Sequence, residues 1–387
     1  MEITKIESFQ LRCPCAEIHD ALSTSTARQA FLIKIEADNG LYGIGEAFSF
    51  GAPMSALQEI LKNQIEPILI GQKAENIEHL WQTMYWRTIA NGRRSLTMAV
   101  ISGIDIALWD LLGKATNRPI SQLLGACYDK IPAYASGGFY APKKDLDGLR
   151  REISGYMAKG YKDVKIKIGR TPSQNQFLHY MANQRDAVDL EEDWQRIKVT
   201  KEIVGNGTLM VDTNASWTAD QLIANGPKLL DLGVQIIEEP LPFEDITGYR
   251  KVAASVPQLI LAGCETQQGV LNFRNLIHEN QIDIVQPDVG WAGGISEVKK
   301  IGDVALASGK KISLHCFGSA VLFAASLQVA AAMSNTIAME SEENPNPLKT
   351  ALTKSPFLTD STMDFYVPEG PGLGIEIDED QLAQFVS

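Results

Sequence analysis

From about residue 131 onward the 387-residue chain repeats one rhythm. A short apolar run is followed by a turn, then a helix-length stretch, then another apolar run. The apolar runs fall at 132–136, 164–168, 208–212, 235–239, 259–265, 282–287, 311–315 and 336–340, with helical patterns between them, for example at 145–159, 219–232 and 294–307. Eight strands alternating with helices predict a parallel barrel, with an open doubly wound sheet as the alternative. No G-x-G-x-x-G follows a strand to favour dinucleotide binding.

The first 130 residues read differently. A strand is expected at 3–12. A second, Phe31 to Glu36, leads into the turn signal Asp38-Asn39-Gly40, after which Tyr42 to Ala47 returns. Residues 13–28 are largely polar and lack periodicity, so a mobile loop is expected there. Helices follow at 54–68, 76–86 and 95–115, the last with Met98, Ile101, Ile104, Leu108 and Leu111 at helical spacing. The expected organisation is an α+β domain at 1–128, a barrel at 129–345 and a segment at 346–387 that crosses back to the first domain. Some 40 residues separate the second apolar run from the third, against 20 to 30 elsewhere. The excess, at 171–192, holds His179 and Tyr180 and reads as a lid or a surface insertion.

Charge within the apolar runs points to chemistry. In Val164-Lys165-Ile166-Lys167-Ile168 a period of two puts both lysines on one face. Two ammonium groups side by side on a buried face disfavour each other's charge, which favours a lysine of lowered pKa able to act as a base. A solvated edge strand is the alternative. In a parallel barrel the active site lies at the carboxyl ends of the strands. There the third, fourth and fifth runs end in Asp212, Glu238 and Glu265. Three carboxylates share a pocket only if a cation neutralises them, and hard oxygen ligands favour Mg²⁺, with Mn²⁺ as a substitute. The sixth run ends at Asp288 and the seventh at His315; adjacent strand ends would let the Asp orient the imidazole and raise its basicity. The eighth ends at Glu340, which could bond a substrate oxygen if held protonated.

A net charge of −12 argues against nucleic acid or an anionic membrane as the main partner. The N-terminus lacks the layout of a signal peptide, and the apolar run at 317–333 suits a buried helix better than a membrane span. Five cysteines without zinc-site spacing are expected to be free thiols in a reducing cytoplasm.

Taken together, K-I-K at 165–167, D-T-N at 212–214, E-E-P at 238–240, G-C-E at 263–265, Q-P-D at 286–288, His315 and M-E at 339–340 resemble the enolase superfamily, and within it the mandelate racemase subgroup. The resemblance covers essentially the whole chain. It implies a modified (β/α)7β TIM-type barrel with an N-terminal α+β capping domain. It assigns Asp212, Glu238 and Glu265 to Mg²⁺ and Lys167 to one catalytic base, with Lys165 lowering its pKa and contacting the substrate carboxylate. It makes His315, supported by Asp288, the acid/base on the other face, and it places Glu340 and Asn214 against the substrate. Asp288 stands where the muconate cycloisomerase subgroup has a lysine. The implied activity is dehydration of an acid sugar, an aldonate or aldarate. Abstraction of the α-proton would give an enediolate, and loss of the β-hydroxyl a 2-keto-3-deoxy acid. A 2-hydroxyacid racemase or epimerase and a non-catalytic sugar-acid binder are the alternatives. The partner is then a small-molecule carboxylate, and a homo-oligomer is implied. Candidate substrate selectors from the cap and its surroundings are His19, Thr24, Phe50, Arg93, Arg94 and Tyr140.

Overall fold

The structure is a computed structural model describing residues 1–170, 188–279 and 282–387. Strands are numbered in chain order. The first three are β1 (Ile3–His19), β2 (Thr24–Ala37) and β3 (Tyr42–Ala47), and β4 (Lys130–Ile131) follows. Next come β5 (Ala133–Gly137), β6 (Val164–Lys167), β7 (Leu209–Asp212), β8 (Val234–Glu238) and β9 (Ile260–Gly263). Then come β10 (Ile284–Val285), β11 (Lys311–Leu314), β12 (Thr336–Glu342) and β13 (Phe365–Tyr366).

Strands β5 to β12 close into a barrel in which every neighbouring pair is parallel, including β12 with β5. The open-sheet alternative is thereby excluded. Helices lie between the successive barrel strands, from Leu146–Lys159 after β5 to Ala320–Ala330 before β12. With both faces of each strand covered, the strands are near-continuous apolar runs. Val164, Ile166 and Ile168 are buried outward in the main core, which leaves Lys165 and Lys167 to face the barrel axis. Local chemistry starts the helices where the chain turns back. Asp145 and Ser319 each cap a helix through the side chain, and Thr218 with Gln221 forms a reciprocal capping box.

The N-terminal sheet has the order β1-β2-β3 and is antiparallel. Helix Leu96–Thr116 lies against β3 at very short range. A Cβ on Gly43 would stand 2.0 Å from the Ala107 carbonyl oxygen, and one on Gly45 2.0 Å from that of Gly103, so only glycine permits this approach. This is the one helix among the described residues long and apolar enough to cross a membrane, and 83% of its apolar window is buried in the fold.

The loop expected at 13–28 is instead a continuation of the hairpin. Cys13 pairs with Arg28, Pro14 with Ala27, Ile18 with Ser25 and His19 with Thr24, with one irregularity between Pro14 and Ile18. Backbone pairing carries this ribbon beyond the core, where side chains have no apolar face to match and so show no periodicity. At its end it docks on the barrel, where His19 and Tyr140 exchange backbone hydrogen bonds of 2.7 and 2.9 Å.

The C-terminal segment ties the two parts together. β13 pairs with β4, Ile120 N–H donates to Gly372 O, and Ser387 N–H donates to Gln10 O in β1. The insertion noted at 171–192, with His179 and Tyr180, lies outside the described residues except for 188–192.

Candidate active site

Nine side chains picked from the sequence stand together at the carboxyl ends of the barrel strands. Lys165 and Lys167 project from β6, 1% and 6% exposed, so the solvated-edge alternative fails. Asp212 and Glu238 end β7 and β8, and Glu265 follows β9 by two residues. Asp288 and His315 lie just beyond β10 and β11, where they form a parallel bridge, and Glu340 is within β12. Asn214 follows β7, its backbone N–H bonded to Asp212 Oδ1 at 2.8 Å. The turns carrying these groups are strained: Asn214, Ala215, Glu239 and Cys264 all have positive φ, between 38° and 86°. A non-glycine residue held there marks a site where the surroundings dictate the backbone.

The polar contacts form one network. Lys165 Nζ donates to Glu238 and, at 2.8 Å, to Glu340. Lys167 Nζ pairs with Asp212, and Gln286 Nε2 donates to the second oxygen of Glu238 at 2.6 Å. His315 Nδ1 is 2.7 Å from Asp288 Oδ2, which leaves Nε2 facing Glu265 at 3.6 Å and Glu340 at 4.0 Å. One ligand atom from each of Asp212, Glu238 and Glu265 lies within 4.8 Å of the others.

Their electrostatics follow from burial. Burial, then the charges of Asp212, Glu340 and Glu265, push Glu238 up to about 8 against the pull of Lys165. Burial, then the charge of Asp212, likewise raise Glu265, opposed by His315 and the two lysines. Such a cluster fits a divalent cation: three converging hard-oxygen donors, buried, with more negative charge than the lysines beside them offset. The His315 imidazole is lowered by burial but raised more by Glu265, Asp288 and Glu340, to about 9, which favours the imidazolium while those carboxylates carry their charge.

Two expectations are corrected here. Lys167 is not held low: burial and Lys165 lower it, but Asp212, Glu265 and Glu238 raise it further. While Asp212 pairs with it, the amine stays protonated; its use as a base requires Asp212's charge to be taken up elsewhere. Glu340 is not held protonated: burial favours the acid, yet Lys165, His315 and Lys167 keep it ionised.

The sequence matches the enolase C-terminal domain-like family over residues 148–381. It matches the mandelate racemase / muconate lactonizing enzyme N-terminal domain over residues 4–125. The chain belongs to the enolase superfamily. Among curated relatives, it is 35% identical to the arabinonate dehydratase of Saccharolobus solfataricus over 89% of this chain and 87% of that protein. It is 32% identical to the D-galactarolactone cycloisomerase of Agrobacterium fabrum over 100% and 99%. Among solved structures, a member of the enolase superfamily from Polaromonas sp. JS666 superposes with a TM-score of 0.89 at 28% identity, covering 100% of this chain and 98% of that one.

A cavity of about 490 Å³ lies between the strand ends and the N-terminal sheet. Of the candidate selectors, Thr24 and Phe50 line it; His19, Arg93, Arg94 and Tyr140 do not. His19 is tied to Thr24 and Glu17, Arg94 reaches Asn272, and the Tyr140 ring lies under the Arg170 and Arg196 guanidinium groups. Sequence reasoning named Phe50 but not the aromatic wall it belongs to. Phe48 and Phe50 rings lie 5.8 Å from the His315 ring, and Phe139 lies 5.3 Å from Lys167 Nζ. It also missed Arg28 and Glu239; the latter is buried and strongly biased toward its protonated form by burial and by Glu265, Asp212 and Glu238. The only prior signal for Glu239 was its place beside Glu238 in E-E-P.

Proposed function

We propose that the protein is a Mg²⁺-dependent acid-sugar dehydratase, with Mn²⁺ an acceptable substitute, and that Asp212, Glu238 and Glu265 hold the metal. The observation that carries the reading is the pairing, at one cavity, of Lys167 on one side of the carboxylate triad and the His315–Asp288 dyad on the other. When bound, the cation supplies positive charge beside the substrate carboxylate and so makes its α-proton more acidic. Lys165 adds positive charge to the same side, and Asn214 offers its amide. Lys167 takes the α-proton, leaving an enediolate. His315, an imidazolium fixed by Asp288, gives its Nε2 proton to the departing β-oxygen. Loss of that oxygen as water leaves an enol that becomes a 2-keto-3-deoxy acid. Phe48 and Phe50 keep bulk water from the imidazole. Residues 1–128 act as the cap over a barrel at 129–345, with 346–387 returning to the cap. The five free thiols suit a reducing cytoplasm, and the partner is a small carboxylate.

The relatives' names divide between a dehydratase and a cycloisomerase. The same two proton transfers serve both, because an elimination whose departing oxygen remains tethered in the product is an isomerisation. The test is a screen of acid sugars and their lactones with Mg²⁺ in D₂O. Keto-acid formation from a free acid supports the dehydratase, and turnover of a lactone alone the cycloisomerase. Deuterium at an inverted α-carbon without keto acid would replace both with a racemase or epimerase.

A further inference from the structure

The proposed chemistry concerns one carboxylate and its neighbouring carbons. The far end of the cavity carries information about the rest of the substrate. One end holds Lys167, Asn214, Glu265 and His315; the other is built by the β1–β2 ribbon with Asp20, Thr24, Ser25 and Arg28. Arg28 is 3% exposed and stands two aromatic rings away from Lys167. Lys167 Nζ is 5.3 Å from the Phe139 ring, Phe139 is 5.9 Å from Phe317, and the Arg28 guanidinium carbon is 4.7 Å from Phe317.

The guanidinium is incompletely satisfied. Nη2 donates to Glu342 Oε1 at 3.0 Å and Nε to Pro345 O at 3.2 Å. Nη1 is buried without a hydrogen-bond partner among the described residues, an arrangement that costs free energy until an acceptor arrives. Its charge is already spent on Glu342, itself buried. The next cation, Lys349, donates to Ser341 Oγ and Glu342 O and is not on the cavity wall. Among the described residues this end therefore offers a donor and no unbalanced positive charge.

A second carboxylate placed here would lose water without gaining a counter-charge from the described residues. A hydroxyl can accept from Nη1 without that cost. We propose that the site takes monocarboxylic acid sugars rather than diacids, and that Arg28 selects them by bonding a distal hydroxyl. This rests on the acid-sugar reading of the site.

The test compares an aldonate with the aldarate of matching configuration in wild type, Glu342→Gln and Arg28→Gln, with thermal unfolding confirming that each variant folds. Wild type is expected to favour the aldonate in kcat/KM. Glu342→Gln frees the Arg28 charge, so the ratio should move roughly tenfold toward the aldarate. Arg28→Gln should cost the aldonate roughly tenfold, mainly in KM, and so narrow its advantage over the aldarate. A wild type that prefers the aldarate overturns the proposal, as does a ratio unmoved in the variants that fold. Calorimetric binding of both acids to the Mg²⁺-loaded protein gives the same ratio without turnover. If neither acid reacts, the dehydratase reading falls, while the binding ratio still decides the role of Arg28.

Discussion

Glu46 is the penultimate residue of β3 in the N-terminal sheet, yet its carboxylate is buried at the start of barrel helix Ala320–Ala330. It accepts from Ser319 N–H at 3.0 Å, Ser319 Oγ at 2.5 Å and Leu322 N–H at 3.1 Å. Burial raises its pKa more than these bonds lower it, and the Asp288 charge adds to the rise, giving about 7 against 4.5 for the free side chain. The folded state thus holds a proton that the unfolded chain releases above 4.5. The stability this contributes is complete below pH 4.5 and is lost as pH rises toward 7. The gap corresponds to about 3 kcal/mol. Glu46→Gln removes this titration and leaves a constant offset. Urea unfolding of variant and wild type from pH 5 to 8.5 should therefore show the variant gaining about 3 kcal/mol relative to wild type across the range. A difference that stays flat would refute the argument. The following residue pair links this anchor to the site: Phe48 N–H donates to Gly290 O at 3.0 Å, and Gly290 N–H donates to Asp288 Oδ1 at 2.8 Å. Loosening Glu46 should thus also disturb the dyad.

Lys167→Ala is expected to cut turnover roughly a thousandfold or more while leaving Mg²⁺ affinity, read by calorimetry, largely intact; near-normal turnover would remove Lys167 as the base. His315→Asn should abolish keto-acid formation, and retained exchange of the α-proton with D₂O would assign His315 to expelling the β-oxygen alone. Gly45→Ala forces a methyl group onto the Gly103 carbonyl and should cost about 1–3 kcal/mol in urea unfolding.

Why the barrel was readable, and the cap only partly so, has a physical basis. Each barrel strand is buried on both faces, so its apolar run stands out. Its end is fixed within a residue or two, as 164–168 against Val164–Lys167 shows. Once the ends are known, the topology alone brings Asp212, Glu238 and Glu265 side by side. Protonation was not readable in this way. Whether Glu340 is an acid or an ion depends on its 2.8 Å contact with Lys165, and the state of Lys167 on its pairing with Asp212. The ribbon at 13–28 fails the periodicity test because it leaves the core and pairs through its backbone.

Arg28 shows what that failure conceals. In the sequence it is one cation in a polar stretch, with nothing to separate it from Arg12. Register distinguishes them: both lie in the paired part of the β1–β2 ribbon, but Arg12 is exposed, whereas Arg28 is turned onto Phe317 and Glu342, more than 280 residues away in the chain. The residues performing proton transfer are thus fixed by strand ends that local pattern reveals. Those facing the substrate's far end are fixed by long-range pairing. Two relatives of this fold can therefore share every strand-end residue and still differ in the acid they accept. In this chain, the ratio of aldonate to aldarate turnover in Glu342→Gln is the measurement that isolates that second layer, since the substitution leaves every strand-end group of the proton-transfer machinery in place.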